Sequence, residues 1–249
     1  MSMKLILSPS RNMKECKIDI PGTMPAFQNE ATILAKELKK YNPWDLADML
    51  KINDKLAYKA FINVQNFDAN KPGTPALFAY DGLVFRNLDP ANLSASALSH
   101  SHNTLRIISA FYGLLRPLDM ILPYRLELQN RFKINNENLY KFWDEKIYLE
   151  LYRDSRCIIN LASEEYAKVV RSHLKPGDRF IDIVFCSVVK GRKKVVTTRA
   201  KMARGQMAKY ILENKINSPE ALKGFQFDGF EYDQKSSHQS RFVYFQKII

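Results

Sequence analysis

Cysteine is scarce in this sequence. There are three, Cys16, Cys157 and Cys186, far apart and without a Cys-x-x-Cys pair. That spacing gives no disulfide framework and no cysteine zinc site. Cys157 and Cys186 sit in apolar runs and read as reduced core thiols. The four histidines are scattered, and His100 and His102 in "SHSH" stand two apart, a spacing that seldom serves one metal on a helix. No metal or other cofactor is therefore expected. Loops of the P-loop or Gly-x-Gly-x-x-Gly kind are missing, and so is His-Glu-x-x-His, which leaves familiar nucleotide and metalloprotease chemistry without support. No window approaches the roughly 20 apolar residues of a membrane span. The apolar run in "MSMKLILSPS" is too short for a signal peptide. The expectation is a cytoplasmic protein with no membrane partner. Low-complexity tracts, repeats and long Gly/Ser linkers are absent as well, so residues 1–249 are read as a single domain.

Apolar residues make up 46% of the chain, and 38 Lys and Arg against 26 Asp and Glu give a net charge of +12. A folded domain this basic attracts polyanions, nucleic acid first among them; the plainer reading is that the excess keeps the protein in solution. Periodicity predicts a buried strand at 4–8, an amphipathic helix at 30–41, a helix opening at Pro43 and another after the Asn53-Asp54 break. "TPALFAYDG" reads as a strand ending in a turn at Asp81-Gly82, "DPANLSASALSHS" as a helix and "TLRIISA" as a strand. "NLYKFWDEKIYLELYRD" is helical, and "RCIINLAS" is a strand after which Ser163 can cap the helix "EEYAKVVRS". Residues 179–200 read as a hairpin turning near Gly191, then a helix with Gly205 inside it, and "SRFVYFQK" as a last alternating strand. Strands and helices mix without a strict βαβ rhythm, and the hairpin argues for some antiparallel pairing.

Three stretches could carry function. "KGRKKVVTTRAKMAR" (190–204) holds seven Lys or Arg and no acid, running through Arg192, Lys193, Lys194 and Arg199 to Lys201 and Arg204. A basic turn feeding a helix start suits phosphate contacts; the alternative is a solvated hairpin tip. "PWDLADMLKINDKLAYKAF" (43–61) places two short helices around a tight connection with Lys51, Lys55 and Lys59 near it. A helix–hairpin–helix DNA-binding element has this plan, although the usual glycine-rich hairpin is missing and two ordinary packed helices fit as well. The third, "FYGLLRPLDMILPYRLELQNRF" (111–132), sets Arg116, Asp119, Arg125 and Glu127 among apolar residues. Such charges must be paired, reach water or line a cleft. Asp119 and Glu127 are natural partners for the arginines; an arginine-lined cleft for phosphate or carboxylate is the functional reading. Ser163 as a nucleophile lacks a nearby histidine base, so capping is preferred.

Taken in order, "LILSPS", "KINDKLA", "FYGLLRPLDMILPYRLEL", "LYKFWDEKI", "INLASEEY" and "AKMARGQMAKYILENK" resemble the YaaA peroxide stress-response family over nearly the whole chain. The resemblance implies a single compact α/β (α+β) domain, a twisted, largely antiparallel sheet wrapped by helices, a positively charged cleft and a helix–hairpin–helix element. It also implies association with DNA and with limiting free iron under hydrogen peroxide stress; it implies no established reaction. By motif, the two-helix element falls on Leu46 to Phe61, with Lys51, Asn53 and Lys55 at its turn. The cleft falls on Ser8, Tyr112, Arg116, Asp119, Tyr124, Arg125, Asn160, Ser163, Tyr166, Lys201 and Arg204. Ser8-Pro9-Ser10-Arg11 stands where the family pattern is Ser-Pro-Ala-Lys, which keeps the charge at Arg11. "FAYDGLVF" keeps only the outline of Phe-x-Gly-Asp-Val-Tyr. Asn53 replaces a common Ser, and either can cap a helix.

Two functions are thus expected to compete. One is a DNA-associated stress protein of low sequence specificity, touching DNA through Lys51, Asn53, Lys55, Lys59, Arg192, Lys193, Lys194 and Arg199. The other is an enzyme acting on an anionic small molecule in the arginine cleft. A broad positive stripe favours the first and a deep pocket the second. Direct iron coordination is disfavoured by the scattered histidines and cysteines.

Overall fold

Unbroken apolar runs become parallel strands when both of their faces are covered, and the longest runs of this sequence do so. The computed structural model describes residues 2–189 and 192–246. The chain opens with β1 (Ser2–Leu7), then passes through α1 (Gln28–Leu38), α2 (Pro43–Leu50) and α3 (Asp54–Gln65). Next come β2 (Thr74–Pro75), α4 (Ala76–Ala79), α5 (Leu83–Leu88) and α6 (Ala95–Thr104). Strands β3 (Leu105–Ser109), β4 (Gly113–Leu115), β5 (Met120–Ile121), β6 (Lys133–Ile134) and β7 (Glu137–Asn138) follow, then α7 (Leu139–Trp143) and α8 (Lys146–Tyr152). The last part runs β8 (Ser155–Asn160), α9 (Glu164–Arg171), β9 (Arg179–Val189), β10 (Arg192–Lys194), α10 (Thr197–Glu213), β11 (Phe230–Tyr232) and β12 (Arg241–Gln246).

One sheet, flanked by helices, organises these elements in the order β11-β12-β9-β8-β1-β3-β4, with β10 beside β9. Its four central pairings, β12/β9, β9/β8, β8/β1 and β1/β3, are all parallel. Within this sheet antiparallel pairing is confined to β3/β4, β11/β12 and the β9/β10 hairpin. The α/β class therefore holds, but the sheet is mostly parallel rather than largely antiparallel. The expected hairpin exists; it is a local feature, and the helices between successive central strands supply the crossovers that parallel pairing needs. The turn expected near Gly191 lies outside the described residues.

Leu5, Ile6 and Leu7 of β1 and Ile158 and Ile159 of β8 are buried, as strands covered on both faces require. Lys4 is also buried, held by Asp154 and the Leu151 carbonyl. Two segments differ from expectation. "TPALFAYDG" gives only the two-residue β2, paired with β5, before turning into the short helix α4. Ala76, Leu77 and Ala79 are buried there, and alanine and leucine are good helix formers. The long helix expected at 138–154 breaks at Asp144, whose φ is 42°. There the Trp143 indole donates to the Ala110 carbonyl at 2.9 Å and fixes the end of α7.

α10 crosses α5 closely and also packs on α6 and β9. Gly205 makes the crossing possible: a Cβ there would lie 2.2 Å from the Val84 carbonyl oxygen. We expect Gly205→Ala to lower stability in urea unfolding by about 2–3 kcal/mol, as overpacking against fixed backbone does. Gly224→Ala, whose added Cβ meets nothing closer than 3.9 Å, is expected to change it by less than about 0.5 kcal/mol. Equal effects would contradict the close crossing.

Candidate functional site

From β1 the chain goes first to β3 on one edge and later to β8, β9 and β12 on the other. Strand order therefore reverses between β1 and β8. In open α/β sheets such a reversal leaves a crevice at the carboxyl ends of the strands. Three expected cleft residues meet there. The Ser8 hydroxyl accepts from the Ser163 N–H at 2.8 Å and lies 3.2 Å from the Ser163 hydroxyl. Asn160, the last residue of β8, accepts from Ala162 N–H at 2.9 Å and donates to Asp182 at 2.7 Å. Ser163 occupies the N-cap position of α9, but its hydroxyl makes no capping bond. The capping expected of it does not form; its own N–H is instead satisfied by Ser8.

At the end of β3 the hydroxyls of Tyr80 and Ser109 each lie 2.8 Å from that of Tyr124. Burial pushes the Tyr124 phenol up to about 12 and holds Tyr80 well above its ordinary range. Tyr112 lies beneath: it is buried, its ring centroid is 5.6 Å from that of Tyr124, and its hydroxyl accepts from Leu122 N–H at 3.0 Å. It supports the crevice floor without lining it.

Two adjoining cavities open beside these strand ends, and Ser8, Asn160 and Ser163 line neither of them. The smaller, about 40 Å³, is lined by Ser10, Arg11, Tyr124, Arg125, Glu127 and Tyr166 among others. The larger, about 230 Å³, shares Arg11, Tyr124 and Arg125 and adds Lys59 and Asn63 of α3 and Asp81. The first basic helix pair and the arginine stretch thus meet at one opening. Arg11 bonds Glu127 at 2.7 Å, and Asp81 is bonded by Arg86 at 2.7 Å. Arg125, Lys59 and the Tyr166 hydroxyl make no hydrogen bond or ion pair among the described residues. Burial lowers the Arg125 guanidinium from its usual range, Glu127 acts the other way, and Arg11 adds to the lowering. Two grooves of about 780 Å³ are larger. One sits at the opposite end of the sheet, where Lys223 and Arg179 are both engaged by Glu220; the other runs along α3 beside Lys71 and Lys17.

The remaining expected residues lie elsewhere. Asp119 is fully buried and accepts from the Thr23 hydroxyl at 2.6 Å, from Arg116 N–H at 2.8 Å and from Arg116 Nε at 3.1 Å. Arg116 also donates to the Met24 carbonyl at 2.9 Å. This clasp stands by Arg106 at the start of β3, away from the crevice. Lys201 and Arg204 lie on α10 and line neither cavity. Arg204 Nε is buried without a partner, and burial lowers this guanidinium while Asp182 opposes the shift. Arg199 donates to Gln246 at 2.6 Å, which ties it to the end of β12, and Lys194 is exposed. The side chains of Arg192 and Lys193 lie outside the described residues.

At the turn between α2 and α3, Lys51 and Lys55 are exposed, and Asn53 caps α3 by accepting from Leu56 N–H at 3.0 Å. Lys51 takes a left-handed conformation, φ 53°, at the position where a hairpin glycine would otherwise sit. Tyr80, Ser109 and Asn63 were not expected. Ser109 ends an apolar strand, the same signal that singled out Ser163, whereas Tyr80 was hidden in the segment expected to be a strand. Among the described residues no three His, Cys, Asp or Glu side chains gather to hold a metal, and no helix is long and apolar enough to cross a membrane.

A mostly parallel sheet with a strand reversal gives the chain the layout of an open α/β protein, the class in which ligands sit at strand ends. The chain belongs to the peroxide stress protein YaaA family, whose model matches residues 3–236. It is similar to the UPF0246 protein of Ligilactobacillus salivarius, 39% identical over 245 residues, or 97% of this chain and 99% of that one. It is also similar to UPF0246 proteins of Agathobacter rectalis, 36% identical over 99% of this chain and 100% of the relative, and of Clostridioides difficile, 34% identical over 97% and 99%.

The raised phenols give a pH prediction. Tyr124 keeps its proton up to about pH 12 when folded, against about 10 unfolded. Its stabilising contribution is complete below about pH 10 and is lost as pH rises through that window. Tyr124→Phe is expected to lower stability by about 1 kcal/mol at pH 8, with the gap to wild type narrowing as pH is raised from about 10 towards 12. A gap that widens would contradict the buried hydrogen-bonded phenol.

Proposed function

We propose that this peroxide stress protein acts in the cytoplasm by binding DNA, with low sequence specificity, through α2, α3 and the adjoining crevice. One observation carries the reading: Lys59 of α3 and Arg125 line the same cavity, and neither forms an ion pair with a carboxylate among the described residues. Cations from distant segments thereby form one surface that the exposed Lys51 and Lys55 extend. Exposed unpaired cations beside a helix start suit backbone phosphates, which give affinity without sequence preference. On this reading α2, the Lys51–Asn53 connection and α3 serve as a helix–hairpin–helix element. Limiting free iron and oxidative DNA damage belongs to the same proposal; family membership supports it, and no cluster of residues does.

The second reading, an enzyme acting on an anionic small molecule, is favoured by the 40 Å³ cavity beside Tyr166, which no duplex backbone enters. Binding of a labelled duplex across a salt series separates the two. Affinity is expected to fall steeply with salt. The Lys51/Lys55/Lys59→Ala variant should bind more weakly with a salt slope shallower by about three, and Arg125→Ala by about one. No duplex binding at low salt would overturn the proposal and favour the small molecule.

A further inference from the structure

The proposed duplex contact leaves the interior of the crevice unused. A double helix presents phosphates along its surface, and these can reach Lys51, Lys55 and the rim at Lys59. Behind that rim lies a cavity of about 230 Å³, too narrow for paired strands and of the size of a single nucleotide. Its polar groups are of an unusual kind. Arg125 and the Asn63 amide both line it and have no partner among the described residues. The Tyr166 hydroxyl, on a side chain only 4% exposed, faces the adjoining small cavity and is also without a partner. Arg125 and Asn63 are half-buried rather than sealed from water. Two such groups in the larger cavity and a third in the smaller one beside it are free to exchange water for a ligand. Tyr124 lines both cavities, its ring stacked on Phe111 with centroids 5.1 Å apart and its hydroxyl held by Tyr80 and Ser109.

We propose that this cavity receives one unpaired nucleotide of the bound strand, its phosphate on Arg125 and Lys59 and its base against Tyr124 within reach of Asn63 and Tyr166. The proposal rests on the DNA-binding reading and adds a preference to it. An aromatic ring offers stacking to any base. Amide and hydroxyl groups can meet the edge of a base whose partner strand no longer does so. Removing a nucleotide from a fully paired stack is costly, and the cost is least where the nucleotide is already unpaired. DNA with a bulge or mismatch should therefore bind more tightly than the same duplex fully paired.

The test compares three ligands: a fully paired duplex, the same duplex with one central bulged nucleotide, and free deoxynucleoside monophosphates. The bulged duplex is expected to bind about tenfold more tightly than the paired one. Arg125→Gln and Tyr166→Phe should each cut that ratio towards one. Both side chains lack partners among the described residues, so their thermal midpoints should stay at the wild-type value. Lys51→Ala, outside the cavity, should weaken both duplexes alike and keep the ratio. Equal binding of paired and bulged duplexes by the wild type would overturn the proposal while leaving DNA binding in place. Tight binding of the free monophosphates, dependent on Arg125 and without any bulge preference, would overturn it in favour of a small-molecule site. Absence of binding to either duplex would remove the reading it rests on.

Discussion

Strand β1 is hydrogen-bonded in parallel on both edges, to β3 and to β8, and the rest of the molecule is constrained by where the chain can go on leaving it. A parallel neighbour cannot be reached by a tight turn, so the chain must cross over through helices. Because it first goes one way and later the other, the loops after β1 and β8 diverge and leave space between them. The Ser8–Ser163 contact closes the bottom of that space, and the Leu161 N–H bond to the Ile6 carbonyl at 3.0 Å holds the two strand ends level. The site is a consequence of strand order before it is a consequence of any particular side chain.

Electrostatics then decides which charges in this region are structural and which are open. Asp119 is fully buried, and a buried carboxylate stripped of its donors is strongly destabilising; Arg116 and Thr23 are therefore committed to it. Arg11 is engaged by Glu127 but remains 68% exposed, so this pair is worth little in water and is easily exchanged for another anion. Arg125 and Lys59 are committed to nothing within the described residues. A stretch that puts two arginines among apolar residues thus serves two ends: one clasps Asp119 and the Met24 carbonyl, the other lines the cavities beside the crevice.

Much of this was legible in the sequence, for identifiable reasons. Apolar runs marked β1, β3, β8 and β12, and Asn53 marked the start of α3, because burial and capping are local properties. Parallel pairing was not legible: a strand carries no mark of its neighbour, and the only visible pairing signal was the β9/β10 hairpin. The separation of Arg116 from Arg125 was hidden as well, since both precede or follow proline in one short stretch and differ only in which strand end they reach. The meeting of Lys59 with Arg125 depends on packing between segments far apart in the chain. Spacing within either one could not reveal it.

The central claim is that α3 and the crevice form one nucleic-acid surface. Amide hydrogen exchange with and without saturating DNA duplex tests it most directly. The account predicts slowed exchange at 51–63 together with 123–127, while the groove around Arg179 and Phe242 at the opposite end of the sheet is unchanged. Protection confined to the basic stretch leading into α10, with 51–63 and 123–127 exchanging as in the free protein, would contradict it.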